Sequence, residues 1–297
     1  MKKGQLNLDI PGSVSALRAV ANKFFYRKDY FDFIFRVKGL EFEGYKEYSP
    51  YQDDAISIDW KASARSNKTL VKQFKQEKDL KIFFLIDSGS NMVFGSQKKL
   101  KCEIAAEVTA AMATLIIESN NLISFLFFSD RIKNYANFKK GNYHLNFFYD
   151  MLRNGNNYSG GSDFNIALDF AINYLDRDTS SIFIVSDFLN IHKSILKKMT
   201  FLASKFDTIA IRVTDPLDKT LPEIAGEFVV ESSNSGKQLL VNPKLAKKSY
   251  EAYALQKEYE IKEFFKITGI DHLDLNTSES FLTPMAIFLK KRLYQSL

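Results

Sequence analysis

Lys81-Ile-Phe-Phe-Leu-Ile-Asp87-Ser88-Gly89-Ser90-Asn91-Met92 is an apolar run closed by one aspartate and followed at once by small residues with oxygen-bearing side chains. A buried strand that stops at an aspartate, then a turn, then a helix, sets a carboxylate at the carboxyl edge of a parallel sheet. Open α/β sheets bind ligands and cations at that edge. The same pattern repeats from residue 81 onward. Apolar runs at Ile82–Ile86, Leu122–Phe128, Ser181–Ser186 and Thr208–Val213 read as strands, separated by helical patterns over about 98–119, 164–176 and 191–204. The first of these helices is Ala-rich and carries Leu100, Ile104, Val108, Ala111 and Leu115 in one stripe. Continuous apolar strands alternating with amphipathic helices imply a doubly wound α/β fold, a mainly parallel sheet covered on both faces.

Around this centre the signals are shorter. Arg131–Phe138 reads as an antiparallel edge strand, and Ile270–Leu275 as a final strand between helices over about 244–267 and 278–294. Phe228–Glu231 and Lys237–Val241 flank Ser-Ser-Asn-Ser-Gly, a hairpin by turn chemistry. Toward the N-terminus, residues 12–30 read as a helix with Val14, Leu17, Val20, Phe24 and Phe25 on one face. Residues 31–48 alternate like a strand pair about Lys38-Gly39. A polar loop containing Pro50 follows, then Asp59 as the cap of a short helix and a strand over Leu70–Phe74.

Hydrophobic residues make up 45% and charged residues 26%, a balance that argues against disorder. The 41 basic and 35 acidic residues leave a net charge of +6, with the bases scattered among acids. There is no interleaved stacking motif, so nucleic acid is not an expected partner. Cys102 is the one cysteine and lies in an apolar helical pattern, which excludes an internal disulfide and a Cys-based zinc site. The first residues lack the apolar run of a signal peptide, and no stretch approaches the ~20 apolar residues of a membrane span. A cytoplasmic protein is the expectation.

Three loops are expected to converge above the sheet: Asp87–Asn91, Ser159-Gly160-Gly161-Ser162-Asp163 and Ser186-Asp187-Phe188. Hard oxygen ligands from separate loops suit Mg²⁺ or Mn²⁺. The same residues would also serve as helix caps, Ser162 for the helix at 164 and the aspartates for theirs.

Ordered motifs along most of the chain resemble the MoxR-associated proteins of domain-of-unknown-function family 58. They are Glu47-Tyr48-Ser49-Pro50, Asp53-Asp54, Ile58-Asp59-Trp60-Lys61-Ala62-Ser63-Ala64-Arg65, the strand ending at Asp87, Phe94-Gly95, and Lys98 with the Ala-rich helix after it. Further along come Phe128-Ser129-Asp130-Arg131-Ile132, Gly161-Ser162-Asp163, Ser186-Asp187-Phe188-Leu189 and Thr214-Asp215-Pro216. The Ile-Asp-Trp-x-x-x-Ala-Arg run is the most specific of these. The resemblance implies a von Willebrand factor A-like, Rossmann-like domain over 81–243. A segment with a helix, strands and the Ile-Asp-Trp motif would precede it over 1–80, and a C-terminal helical extension would pack on it over 244–297.

It also implies a metal-ion-dependent adhesion site of the pattern Asp-x-Ser-x-Ser, a distant Thr and a distant Asp. Asp87 fits the first position and Asp187 the last, while Ser162 keeps the hydroxyl of the Thr. Gly89 brings no ligand at the second position, and Asn91 brings only an amide at the third. The site is thus degenerate, with Asp87, Asn91, Ser162 and Asp187 as metal residues. Asp87, Ser88, Ser90, Ser162, Asp163 and Asp187 are the expected partner-binding set. Ser88 and Ser90 lie one residue out of register. The N-terminal motif is one residue longer than the family pattern and has Ile56 where an Arg is usual. Arg65 is then the candidate partner of Asp54 or Asp59, a buried clamp onto the A-like domain with Trp60 filling core.

His144, His192 and His272 are far apart, and no nucleophile elbow, phosphate loop or dinucleotide fingerprint is present. No nucleotide cofactor is expected. The resemblance implies a non-enzymatic adaptor that binds client proteins together with a MoxR-type AAA+ ATPase. Two alternatives stand beside it: a Mg²⁺-dependent hydrolase or phosphatase using Asp87 and Asp187, and a metal-free structural interaction protein.

Overall fold

The structure, a computed structural model, describes residues 4–24, 41–51, 53, 55–75, 79–222, 226–231 and 238–296. Helix α1 (Ile10–Phe24) precedes an antiparallel pair, β1 (Glu41–Glu47) and β2 (Leu70–Lys75), with the short helix α2 (Trp60–Ser66) between them in the chain. Next come β3 (Lys81–Asp87), α3 (Lys101–Glu118), β4 (Leu122–Phe128), β5 (Ile132–Lys139) and α4 (Asn142–Arg153). They are followed by α5 (Phe164–Tyr174), β6 (Ser181–Ser186), α6 (Leu196–Lys205) and β7 (Asp207–Thr214). The antiparallel strands β8 (Phe228–Glu231) and β9 (Gln238–Val241), then α7 (Pro243–Thr268), β10 (Asp271–Asn276) and α8 (Leu282–Ser296), complete the described chain.

The central sheet has the order β10-β7-β6-β3-β4-β5, parallel throughout except for β5 at its edge. This is the doubly wound sheet expected from the alternating runs. Side chains on a strand alternate between faces. Ile82, Phe84 and Ile86 therefore join one core with residues of α1, α3, α4 and α8, while Phe83 and Leu85 join another with α5, α6 and α7. Both faces being covered is what makes β3 apolar at every position from Ile82 to Ile86. Each such side chain contributes on the order of 1.5–3 kcal/mol by leaving water.

Helix α3 departs from its expected stripe, because every residue from Lys101 to Ile117 is buried. Helices α1 and α4 pack on it from outside the sheet, and alanines let them approach. Its buried acids need partners. Glu103 accepts the Asn7 N–H at 2.8 Å, and Glu107 takes the Asp9 N–H together with Lys99. Cys102 is free and buried there, and burial pushes its thiol up to about 12. Helix α4 lies where no element is assigned from sequence. Its His144, Leu145, Phe148 and Leu152 nevertheless make a helical stripe, entered through Gly141 at φ +95°. Gly269, left-handed at φ +69°, ends α7 and turns the chain into β10.

The N-terminal motif is placed differently from the expected clamp. Asp59 does cap α2, accepting from the Lys61 and Ala62 N–H groups at 3.0 Å. Its ionic partner is Lys72 on β2, at 3.5 Å, with the Tyr45 hydroxyl at 3.3 Å. Arg65 sits in the last turn of α2, a helix length away from the cap, and is exposed. Trp60 fills no core. It is 70% exposed, on a seven-residue helix with no buried residues. Trp60→Ala is accordingly expected to shift unfolding free energy by no more than ~0.5 kcal/mol in urea titration. A loss of several would mean the ring is covered. Asp54, the expected strands over 31–40 and the turn at 232–237 lie outside the described residues. No helix among the described residues is long and apolar enough to cross a membrane.

Candidate functional site

The chain runs from β3 outward to β4 and β5, then returns to the other side of β3 to lay down β6 and β7. The strand order therefore reverses between β3 and β6, and a crevice opens at their carboxyl ends. Asp87 ends β3, and Ser186-Asp187 ends β6. The backbone at Phe188 is left-handed, at φ 57°, a costly conformation for a non-glycine residue. It is held there by its ring, which packs on Phe164 and Phe265 at 5.5 and 5.0 Å. That turn aims the Asp187 carboxylate back over the crevice.

Asp87 is fully buried and well supplied with donors. Its Oδ1 accepts the Gly89 N–H at 2.9 Å, and its Oδ2 accepts Ser162 Oγ at 2.8 Å, Ser186 Oγ at 2.6 Å and Asn91 Nδ2 at 3.4 Å. Asp187 Oδ1 accepts the Leu189 N–H at 3.0 Å, and its Oδ2 takes Asn91 Nδ2 at 3.0 Å. The same Oδ2 receives Lys101 Nζ at 2.8 Å. Lys101 is only 1% exposed. Its ammonium also lies 3.4 Å from both oxygens of Asp218 and 5.5 Å from the centre of the Phe94 ring.

Charge explains these arrangements. Burial, with the Asp187 carboxylate beside it, pushes Asp87 up to about 6 against the lowering pull of its donors. Burial alone would lower Lys101, but Asp187 and Asp218 outweigh it and hold the ammonium charged, above its usual range. Lys101 opens α3, where the helix dipole disfavours a cation, so specific carboxylates must hold it there.

The structure brings Asp87, Asn91, Ser162 and Asp187 together. Ser88 and Ser90 are turned elsewhere and fasten loops. Ser88 Oγ donates to the Phe128 carbonyl at 2.9 Å, and Ser90 Oγ to that of Gly160 at 2.7 Å. Asp163 caps α5 through the Asn165 N–H at 2.8 Å, the role that Ser162 would have filled. Sequence reasoning missed Lys101 and Asp218, and it placed Ser186 in a converging loop without giving it a role. A lysine opening an Ala-rich helix, with no other base along it, was the available signal for Lys101. None of the three histidines hydrogen-bonds to this cluster among the described residues. His144 is buried against Phe125 with Nε2 3.0 Å from the Ile123 carbonyl, a structural placement.

As arranged, these residues do not fit a divalent ion. Mg²⁺ demands a near-octahedral set of oxygens. All four oxygens of Asp87 and Asp187 are engaged by N–H or O–H donors, and Asn91 turns its NH₂ toward both carboxylates. Its Oδ1 is buried without a partner. Reversing the amide would aim that oxygen at two carboxylates, tolerable only with a cation between them. Nor is there room to restore the missing ligand. A Cβ at Gly89 would meet Asn91 Oδ1 at 2.4 Å and the Gly161 carbonyl at 2.8 Å. Gly89→Ser is therefore expected to cost about 1–3 kcal/mol by overpacking and to confer no Mn²⁺ binding. Urea unfolding and a Mn²⁺ titration of the variant check both parts.

The rim of the crevice is partly apolar, with Val93 and Phe94 42% and 40% exposed. On the Asp218 side a cavity of about 170 Å³ is lined by Arg212, Tyr250, Tyr253, Lys257 and Glu258, among others. Arg212 donates to Glu258 at 2.6 Å and draws that carboxyl down to about 2, while the buried Arg212 Nε has no partner.

A family profile described as "Protein of unknown function DUF58" matches residues 44–260. An uncharacterized protein of Mycobacterium tuberculosis is 23% identical over 244 residues, 81% of this chain and 76% of that protein. Among solved structures, the conserved hypothetical protein BatB from Bacteroides thetaiotaomicron aligns with a TM-score of 0.50 at 10% identity, over 72% of this chain and 98% of BatB. The SpRpn10 VWA domain aligns with a TM-score of 0.43 at 12% identity, over 72% of this chain and 95% of that one. At 10% identity the likeness to BatB is one of fold.

Proposed function

The chain belongs to the DUF58 family and has a von Willebrand factor A-like fold, and from that premise we propose that it is a non-enzymatic protein-interaction module docking its partner at the carboxyl edge of the sheet. The partner is a MoxR-type AAA+ ATPase, and the pair assembles or activates client protein complexes. The observation that carries the docking reading is that three loops at the switch point are fastened to one another. Ser88 binds the end of β4, Ser90 the 158–163 loop, and Ser162 and Ser186 meet on Asp87. A surface shaped in advance loses little entropy on association. The partly exposed Phe94, over Lys101, supplies an aromatic anchor of the kind interfaces favour.

The same hydrogen bonds speak against catalysis. Asp87 and Asp187 are both buried and fully engaged, so neither is free to act as a nucleophile. The pairing with an ATPase rests on the sequence resemblance, most specifically on Ile58–Arg65, and on the lack of a phosphate loop in this chain.

Mixing the purified chain with a MoxR-type AAA+ ATPase, with either nucleotide, should give association and a changed ATPase rate. Phe94→Asp should weaken that association on the order of tenfold or more, a loss of about 1.4 kcal/mol. No association and no rate change would end the pairing. Undiminished binding by Phe94→Asp would place the interface elsewhere.

A further inference from the structure

We propose that Lys101 is the resident cation of this site: its ammonium, fixed to α3, takes over the charge-balancing task of a divalent ion, so the edge holds its shape and docks its partner without metal. The second half of this statement rests on the docking reading above. The first half stands on geometry alone.

The ammonium lies at the switch point, where the fold gathers its carboxylates. Asp187 comes from the end of β6, and Asp218 from the turn after β7. Lys101 spans the two at 2.8 and 3.4 Å, so one side chain from the α3 start ties together two loops on the far side of β3. Asp218 is itself fixed by the Asp215 N–H at 2.8 Å. Asp215 in turn accepts Ser96 Oγ and Thr277 Oγ1, each at 2.6 Å, which anchors the loop leading into α3 to the turn after β10. The cation thus sits at the centre of a network reaching four loops.

The other carboxylate, Asp87, needs no cation. Two hydroxyls, a backbone N–H and the Asn91 amide occupy its oxygens. The Asn91 NH₂ bridges Asp87 and Asp187, the position an ion shared by both would claim. Phe94 lies over the ammonium and shields it from the rim. A tethered monovalent charge cannot be removed by a chelator, and it offers no open coordination position to a partner's carboxylate. Recognition then falls to the apolar rim and the neighbouring cavity.

The test uses the full chain, as wild type, Lys101→Met, Asp87→Asn and the Lys101→Met/Asp187→Asn pair. Mn²⁺ uptake is read by the electron paramagnetic resonance of free Mn²⁺, and thermal melts are recorded with Mn²⁺ and with EDTA. Wild type should take up no Mn²⁺ and melt identically in both. Lys101→Met should melt lower and regain part of the loss in Mn²⁺, and the added Asp187→Asn, which removes the carboxylate nearest the lost ammonium, should abolish that gain. Uptake of one equivalent by wild type, removed by Asp87→Asn, would overturn the proposal. So would a Lys101→Met protein that melts as wild type or ignores Mn²⁺. If Lys101→Met does not fold, wild-type uptake with Asp87→Asn as control still decides. These readings need no partner, so failure of the docking reading leaves them standing. Loss in EDTA of an association that forms without nucleotide would contradict only the metal-free docking.

Discussion

Lys101→Met should lower the unfolding free energy by about 3–5 kcal/mol, the usual cost of removing one partner from a buried ion pair. Methionine keeps most of the aliphatic stem, so packing under Phe94 is largely retained and the loss reports the charge. The buried Asp187 and the partly buried Asp218 are left facing each other without compensation. A second change that removes one of them should therefore recover stability. Lys101→Met/Asp187→Asn is expected to be more stable than Lys101→Met alone, a coupling that a double-mutant cycle measures directly. Urea titration of the four proteins provides the numbers. A loss below ~1 kcal/mol for Lys101→Met would place the pair among weakly contributing exposed ones.

A loss of similar size, about 3–5 kcal/mol, is expected for Arg292→Met at the opposite end of the sheet. Arg292 on α8 is 1% exposed and donates to Asp271 at 2.7 Å and to Asp207. Those aspartates open β10 and β7, so the guanidinium clamps the last helix to the amino ends of two neighbouring strands. Asp207 also accepts Ser181 Oγ at 3.1 Å, which draws in the start of β6. The two losses should differ in their functional consequence. Arg292→Met protein that remains folded at low temperature should bind the partner as wild type does, because the carboxyl edge lies at the other end of the strands. Lys101→Met should weaken binding as well as stability. Equal loss of binding in both variants would contradict this separation.

The sheet was legible because strands buried on both faces leave an unambiguous trace. Ile82 to Ile86 and Ser181 to Ser186 admit no alternation, and a single aspartate or Ser-Asp pair marks where each emerges. The edge strands Ile132–Lys139 and Asp271–Asn276 were readable from their alternating patterns. Helix α4 was not, since its stripe of His144, Leu145, Phe148 and Leu152 is separated by polar residues and by the exposed aromatics Tyr143 and Phe147. Trp60 misled because a lone tryptophan is ordinarily core, whereas here a seven-residue helix has no layer above it.

At the site, the residues following each strand were found, and those arriving from elsewhere were not. Asp87, Asn91, Ser162 and Asp187 announce themselves by position in a loop. Lys101 acts from the next helix, and Asp218 acts from a turn 117 residues further along. Their meeting is a property of the sheet order rather than of any local spacing. Gly89 had a second meaning that spacing could not convey, since the Gly161 carbonyl fills the space a side chain would need.

The central claim is that the carboxyl edge carries its own cation. It is tested most directly by crystals of the wild-type chain grown in Mn²⁺, with an anomalous difference map calculated at the Asp87 crevice. The account predicts no Mn²⁺ peak there and Lys101 Nζ between Asp187 and Asp218. A peak coordinated by Asp87 and Asp187, with the Lys101 side chain displaced, would contradict it.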